Sequence, residues 1–248
     1  MAWVDATLWS GYVVFLRVGA AMSLIPGFGE QTVPVRVKLI MAIAATMVIA
    51  PSVDTIEVAS VSDMMRYAVT EPAIGLMIGL GLRLFLMAVQ TAGSIAAQST
   101  SLAQMSAGAF PDPMPAIGQV LTMAAVALFF VLDLHIEAIL LIQASYLMFP
   151  AGGMPDAAAT AEWGITTINH TFQLAFRLAA PFFLISLIYN VTLGAINKAM
   201  PQLMVIFVGA PLITWGSLVV LMLVAPLLLH VWVTHLTGFM ANPFGGTP

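Results

Sequence analysis

Asp133, His135 and Glu137 are the residues of this chain that most resemble a chemical site. Two carboxylates beside an imidazole have the right groups to hold a metal, relay a proton or accept an arginine. On a continuous helix Asp133 and Glu137 are i,i+4 and share a face that suits an arginine partner. His135 lies about 200° from Asp133 at ~100° per residue, so the three converge on one metal only if the helix breaks. His230 and His235 are i,i+5, on different faces, and read as interfacial. Arg17, Arg83 and Arg177 complete the set of candidate buried charges, each inside an otherwise apolar stretch. A charge at the centre of a membrane helix costs at least ~2.5–3.5 kcal/mol, so each needs a reason. Pairing between helices or capping at an interface is one reason, and metal binding or proton relay is the other.

Other chemistry is absent from the sequence. It contains no G-x-S-x-G, H-E-x-x-H or G-x-x-x-x-G-K-[ST] pattern. A paired-aspartate intramembrane protease needs acids in two separate spans, and Asp133 is the only aspartate placed well inside one. With no cysteine, disulfides, Cys-ligated metals, Fe–S clusters and thiol nucleophiles are excluded. A net charge of −4 leaves no basic patch for nucleic acid. The sequence therefore predicts no enzyme and no cofactor.

The elements that position these charges are membrane helices. Of the 248 residues, 61% are hydrophobic and 7% charged, against roughly 45–50% and roughly 25% in soluble proteins. Seven Lys/Arg and eleven Asp/Glu cannot cover a soluble surface of this size, and disorder needs the opposite balance. Six apolar regions stand out: Leu8–Phe28, Val33–Ala50, Ala73–Ala97, Gly118–Phe149, Arg177–Asn197 and Gln202–Val233. Leu, Ala, Met and Gly dominate them, which favours helices, and no ~10-residue alternating segments suggest a barrel. Gly118–Phe149 is too long for a ~30 Å hydrocarbon core as a straight helix of roughly 48 Å. It must tilt, break near Asp133–Glu137 or extend beyond the bilayer. Met1–Asp5 has no basic residue and no small-residue cleavage site follows, so the first helix is expected to be retained. The connections are expected at Pro26–Pro34, Pro51–Pro72, Met105–Gly118, Pro150–Trp163 and Gly194–Pro201. Arg36, Lys38 and Lys198 fall on one side of an alternating topology, opposite Arg66. The positive-inside rule then puts both termini outside the cytoplasm, and Asn197–Lys198 in a cytoplasmic turn.

The stretch Gln90–Ser106 is uncharged yet full of small and polar side chains. Gln90, Ser94, Gln98 and Ser101 form a stripe at helical spacing, while Gly93, Ala96 and Ala97 permit close helix approach. Such a helix is too polar for lipid. It either packs inside a bundle or faces a channel or a partner. Pro111, Pro113 and Pro115 then forbid a regular helix in Met105–Gly118. Met105, Phe110 and Met114 give that segment deformable apolar contacts. It is either a surface loop or non-helical backbone buried at membrane depth.

Three stretches resemble a known family. FLRVGAAMSLIPGFGEQTVPVRVKLIMAIAATMVIAP (Phe15–Pro51) resembles the start of the FliR family of flagellar type III export-gate proteins and their virulence-secretion counterparts, the SctT proteins. EPAIGLMIGLGLRLFLMAVQTAG (Glu71–Gly93) is similar to the family's third region. LGAINKAMPQLMVIFVGAPL (Leu193–Leu212) is similar to its L-G-x-x-[NQ]-[KR]-x-x-P-Q-[LM] signature. The chain departs from the pattern at Asp133-Leu134-His135, where the family has Asn-Gly-His.

The resemblance implies an all-α membrane protein whose six or so apolar regions form kinked hairpins. A FliP-like part would occupy about 1–165 and a FliQ-like hairpin about 170–235. Its implied partners are FliP and FliQ, with FlhB and FlhA nearby, in the bacterial inner membrane at the flagellar basal body. Its implied cargo is unfolded flagellar subunits. Met105, Phe110, Pro111 and Met114 take the place of the family's pore-closing plug. A virulence export gate, a proton-coupled transporter using Asp133 and Glu137, and a scaffold without pore contact are the alternatives.

Overall fold

The computed structural model describes residues 2–56, 60–99, 116–199 and 205–245. Those residues form seven α-helices: α1 (Ala2–Met22), α2 (Val35–Ile49), α3 (Val61–Ser99), α4 (Ala116–Val131), α5 (Leu134–Met148), α6 (Ala157–Ala199) and α7 (Val205–Ala241). No strand occurs among the described residues. Four helical stretches are long and apolar enough to cross a membrane, and α4 with α5 makes a fifth, bent by 69°. The chain is an all-α membrane protein.

Helices α3, α6 and α7 contain 39, 43 and 37 residues. At ~1.5 Å per residue each is about twice as long as a ~30 Å hydrocarbon core is thick. Four expected connections are therefore corrected, one of them Met105–Gly118, whose last three residues, Ala116–Gly118, begin α4. Most of Pro51–Pro72 belongs to α3, the end of Pro150–Trp163 to α6, and Gly194–Ala199 to the last turns of α6. Local caps explain two of these. Ser60 Oγ accepts from the Asp63 N–H at 3.2 Å while Asp63 Oδ2 accepts from the Ser60 N–H at 3.1 Å, a reciprocal capping box that starts α3. Asp156 Oδ2 accepts from the Ala159 N–H at 2.8 Å and starts α6. Pro72 and Pro181 lie inside helices without ending them. Each removes one backbone donor, a loss that packed membrane helices accommodate.

The chain divides into two compact units. One comprises Met1–Leu84, Leu128–Ile168 and Leu236–Pro248; the other comprises Phe85–Ala127 and Asn169–His235. In the first, α1 buries Ser10, Val13, Val14, Arg17, Val18, Ala21 and Met22 at i,i+3/i+4 spacing. Gly75 and Gly79 of α3 press against this face. A Cβ at Gly75 would lie 2.2 Å from the Arg17 carbonyl oxygen, and one at Gly79 would lie 2.7 Å from that of Ala21. The G-x-x-x-G spacing thus lets two backbones touch.

In the second unit the same device joins α3 to α4. A Cβ at Gly93 would lie 2.3 Å from the Gly118 Cα. Ala96 and Ala97 are fully buried beside it, as their size predicts. Trp232 of α7 is also fully buried, and its indole donates to the Phe85 carbonyl at 2.9 Å.

Candidate functional site

The strongest polar constellation surrounds Arg17, in the C-terminal third of α1. Its guanidinium is wholly buried, as is the Glu71 carboxylate of α3. Arg17 Nε donates to Glu71 Oε2 at 2.8 Å and Nη2 donates to Oε1 at 3.3 Å. Nη1 donates to the Ser145 hydroxyl of α5 at 3.0 Å, and Nη2 also donates to the Phe149 carbonyl at 2.9 Å. The Tyr146 ring covers the cation at 3.7 Å. Glu71 Oε1 accepts a further bond from the Gly152 N–H at 2.8 Å. Gly152 adopts φ +74°, where a side chain would meet Tyr67. Four groups from α5 and the following turn thus surround one buried ion pair between α1 and α3. Such pairs persist when every donor and acceptor is used.

The Ser145 hydroxyl is engaged here, accepting from Arg17 and donating to the Ile142 carbonyl at 2.6 Å. The work of the constellation is to fix α1, α3 and α5. Glu71 is the functional acid missing from the sequence reading. Pro72 placed it at the edge of a loop, whereas the Ser60–Asp63 capping box, legible in S-V-S-D, places it ten residues inside α3.

Arg83 is ion-paired with Glu30, both about a quarter exposed. The pair ties α3 to the Pro26–Pro34 loop. Lys38 Nζ binds that loop too, donating to the Gly29 carbonyl at 3.2 Å. Gly27, at φ +82°, lies against the Phe130 ring of α4, so the loop is held from both sides.

Asp133 does not sit on a continuous helix. It is the left-handed residue (φ 57°) at the α4–α5 bend, just before α5 begins. The expected shared face of Asp133 and Glu137 on one unbroken helix is therefore corrected. Both carboxylates are exposed on the chain. His135 stacks near Phe130, with ring centroids 5.4 Å apart. Among the described residues no three His, Asp or Glu side chains are grouped to hold a metal. Glu137 instead edges an open apolar groove of about 550 Å³, lined with Leu140, Met148, Met240 and Phe244.

Arg177 is exposed on α6, unlike the other two span arginines. Asn197 and Lys198 occupy the last turn of that helix rather than the connection after it, and Lys198 is exposed there. Gln90 and Ser94 are half-buried and Gln98 is exposed near the end of α3. The stripe's last member, Ser101, and Met105, Phe110, Pro111 and Met114 lie outside the described residues.

Comparison with known proteins gives one answer along most of the chain. The family described as "Bacterial export proteins, family 1" matches residues 8–239. The flagellar biosynthetic protein FliR of Caulobacter vibrioides is 35% identical over 84% of this chain and 86% of its own length. FliR of Escherichia coli is 32% identical over 86% of this chain and 81% of its own. FliR of Aquifex aeolicus is 26% identical over 91% and 88%. The match covers α1, where Arg17 sits, α3, where Glu71 sits, and every membrane-crossing stretch between them and Phe239, so the chain belongs to the FliR family of bacterial export proteins.

Proposed function

We propose that this protein is a structural subunit of the flagellar type III export gate. It assembles with FliP and FliQ in the bacterial inner membrane, beside FlhB and FlhA, and frames the path of unfolded flagellar subunits. The observation that carries the reading is the family match from residue 8 to residue 239, with relatives that bear a flagellar name. Those names favour a flagellar system over a virulence one. The fold supports it. Arg17 of α1 holds α3 and α5, and Arg83 of α3 holds the Pro26–Pro34 loop, as a scaffold requires.

In this reading about 1–165 form the FliP-like part and about 170–235 the FliQ-like hairpin. Residues Met105–Gly118 close the pore. A closed gate must exclude ions yet yield to a polypeptide, and a Pro-rich segment has few backbone hydrogen bonds to lose while Met and Phe adapt to many shapes.

Two measurements on one strain test the proposal. Affinity purification of the tagged chain from cells with a complete flagellar system is expected to recover FliP and FliQ in a single detergent-stable species. Recovery of the chain alone would overturn the gate reading. Deleting Gly108–Pro115 is expected to leave that species intact while raising small-ion leakage across the inner membrane. Normal tightness at normal assembly would reduce the segment to a connection.

A further inference from the structure

The three span arginines have different fates, and the difference points outward. Arg17 is fully buried against Glu71, and Arg83 is half-buried against Glu30. Arg177 is exposed, and among the described residues it has no ion-pair partner. It is not isolated. Asn169, Gln173 and Arg177 follow i,i+4 spacing on α6 and occupy an arc of about 80° at ~100° per residue. All three are exposed, and all lie inside an apolar stretch long enough to cross a membrane. The opposite side of α6 carries Thr171, Leu174, Ala175, Leu178, Ala179 and Phe182, all buried in the chain's own core. Within its compact unit the helix is therefore docked in a defined orientation that leaves this polar stripe exposed, with Arg177 near His170 of its own helix and His235 of α7.

Lipid is a poor cover for that stripe, because two amides and a guanidinium keep their hydrogen-bonding demand in hydrocarbon. Beside it Phe172 and Phe176 are 54% and 64% exposed. Aromatics next to an arginine are the side chains enriched where proteins meet. We propose that the Asn169–Gln173–Arg177 face of α6 docks a membrane helix of a different subunit, and that this helix carries an Asp or Glu opposite Arg177. The inference rests on the gate reading and adds the contact chemistry. The two internal pairs show how this chain treats an arginine among apolar helices: each receives a carboxylate from a neighbouring segment. For Arg177 the neighbour belongs to another protein.

The test uses the complete chain in cells that make the whole apparatus. A photoreactive phenylalanine at Gln173 is expected to crosslink to a different membrane protein, within two helical turns of an Asp or Glu. R177E is expected to lower recovery of that protein with the tagged chain at least ~10-fold, with membrane levels of the chain unchanged. Changing the identified acid to Arg is expected to restore recovery. Gln173→Trp, which lipid or water would tolerate, is expected to lower recovery as well, and serves if R177E fails to accumulate. Crosslinking to lipid, to a second copy of this chain or to nothing would overturn the proposal. So would R177E and Gln173→Trp recovery within twofold of wild type. If the wild-type chain itself recovers no other export subunit, the gate reading fails instead, which keeps the two outcomes distinct.

Discussion

Helix α3 and helix α6 have similar lengths and similar apolar content, yet they solve opposite problems. The membrane-length window of α3 is 61% buried within the chain, whereas those of α6 and α7 are 18% and 17% buried. α3 reaches its burial through small residues. Gly75 and Gly79 admit the backbone of α1, and Gly93 admits that of α4. Its one buried acid accepts from the Gly152 N–H and meets an arginine that also donates to Ser145 and the Phe149 carbonyl. α6 instead shows large apolar side chains and an unpaired arginine to its surroundings. Low burial alone says little, since lipid tails cover Leu and Phe as well as protein does. The polar residues distinguish the two helices. One completes its own charge pairs internally, and the other leaves them for a neighbour to complete.

The largest way to break this comparison is to remove half of the buried pair. Glu71→Ala leaves Arg17 charged and enclosed, which is expected to destabilise the detergent-solubilised chain by about 3–5 kcal/mol. The double change Arg17→Met with Glu71→Leu is expected to cost less than Glu71→Ala, read as urea or thermal midpoints on the same preparation. A double variant weaker than the single one would mean that the pair is a net source of stability.

The next effect comes from the helix crossing. Gly75→Val places side-chain atoms where the Arg17 carbonyl already sits, and overpacking of this kind costs about 1–3 kcal/mol. The expected signs are a lowered midpoint and earlier proteolysis at α1. An unchanged midpoint would show that α1 and α3 are less closely pressed.

Two small effects sharpen the contrast. Asp133→Gly relieves a left-handed residue at the α4–α5 bend and is expected to change stability by no more than ~1 kcal/mol, in the stabilising direction. Asp133→Val is expected to do the reverse. Arg83→Gln removes a partly exposed pair and is expected to cost about 0–1 kcal/mol, far less than the loss at Glu71.

Much of this fold was legible in composition and hydrophobic runs, because the bilayer imposes a length and a polarity on each span. The bend was legible as well. An apolar run too long for one span, with Asp-Leu-His in its middle, had to tilt, extend or break, and it breaks at Asp133. The small-residue face of Gly93, Ala96 and Ala97 was read correctly because close packing follows from side-chain size. What misled was proline and charge. Pro72 looked like the end of a connection, so Asp63 and Glu71 fell inside it. Asp63 is a cap and Glu71 a core residue. The S-V-S-D capping pattern carried the needed signal, but hydropathy outweighed it. The partner of Arg17 was not legible, since nothing in local spacing joins residues 17, 71 and 145. The same limit hid which arginine stays unpaired: Arg17, Arg83 and Arg177 look alike in sequence and differ only in what the fold brings beside them.

The central claim is that the outward face of α6 is completed by other subunits of the apparatus. The chain contains no cysteine, so a single Gln173→Cys variant reports on one position. Its reactivity toward a small maleimide can be measured in native membranes from two strains, one complete and one lacking FliP and FliQ. The account predicts slow labelling in the complete strain and labelling at least ~10-fold faster when those subunits are missing. Equal rates in the two strains would contradict it.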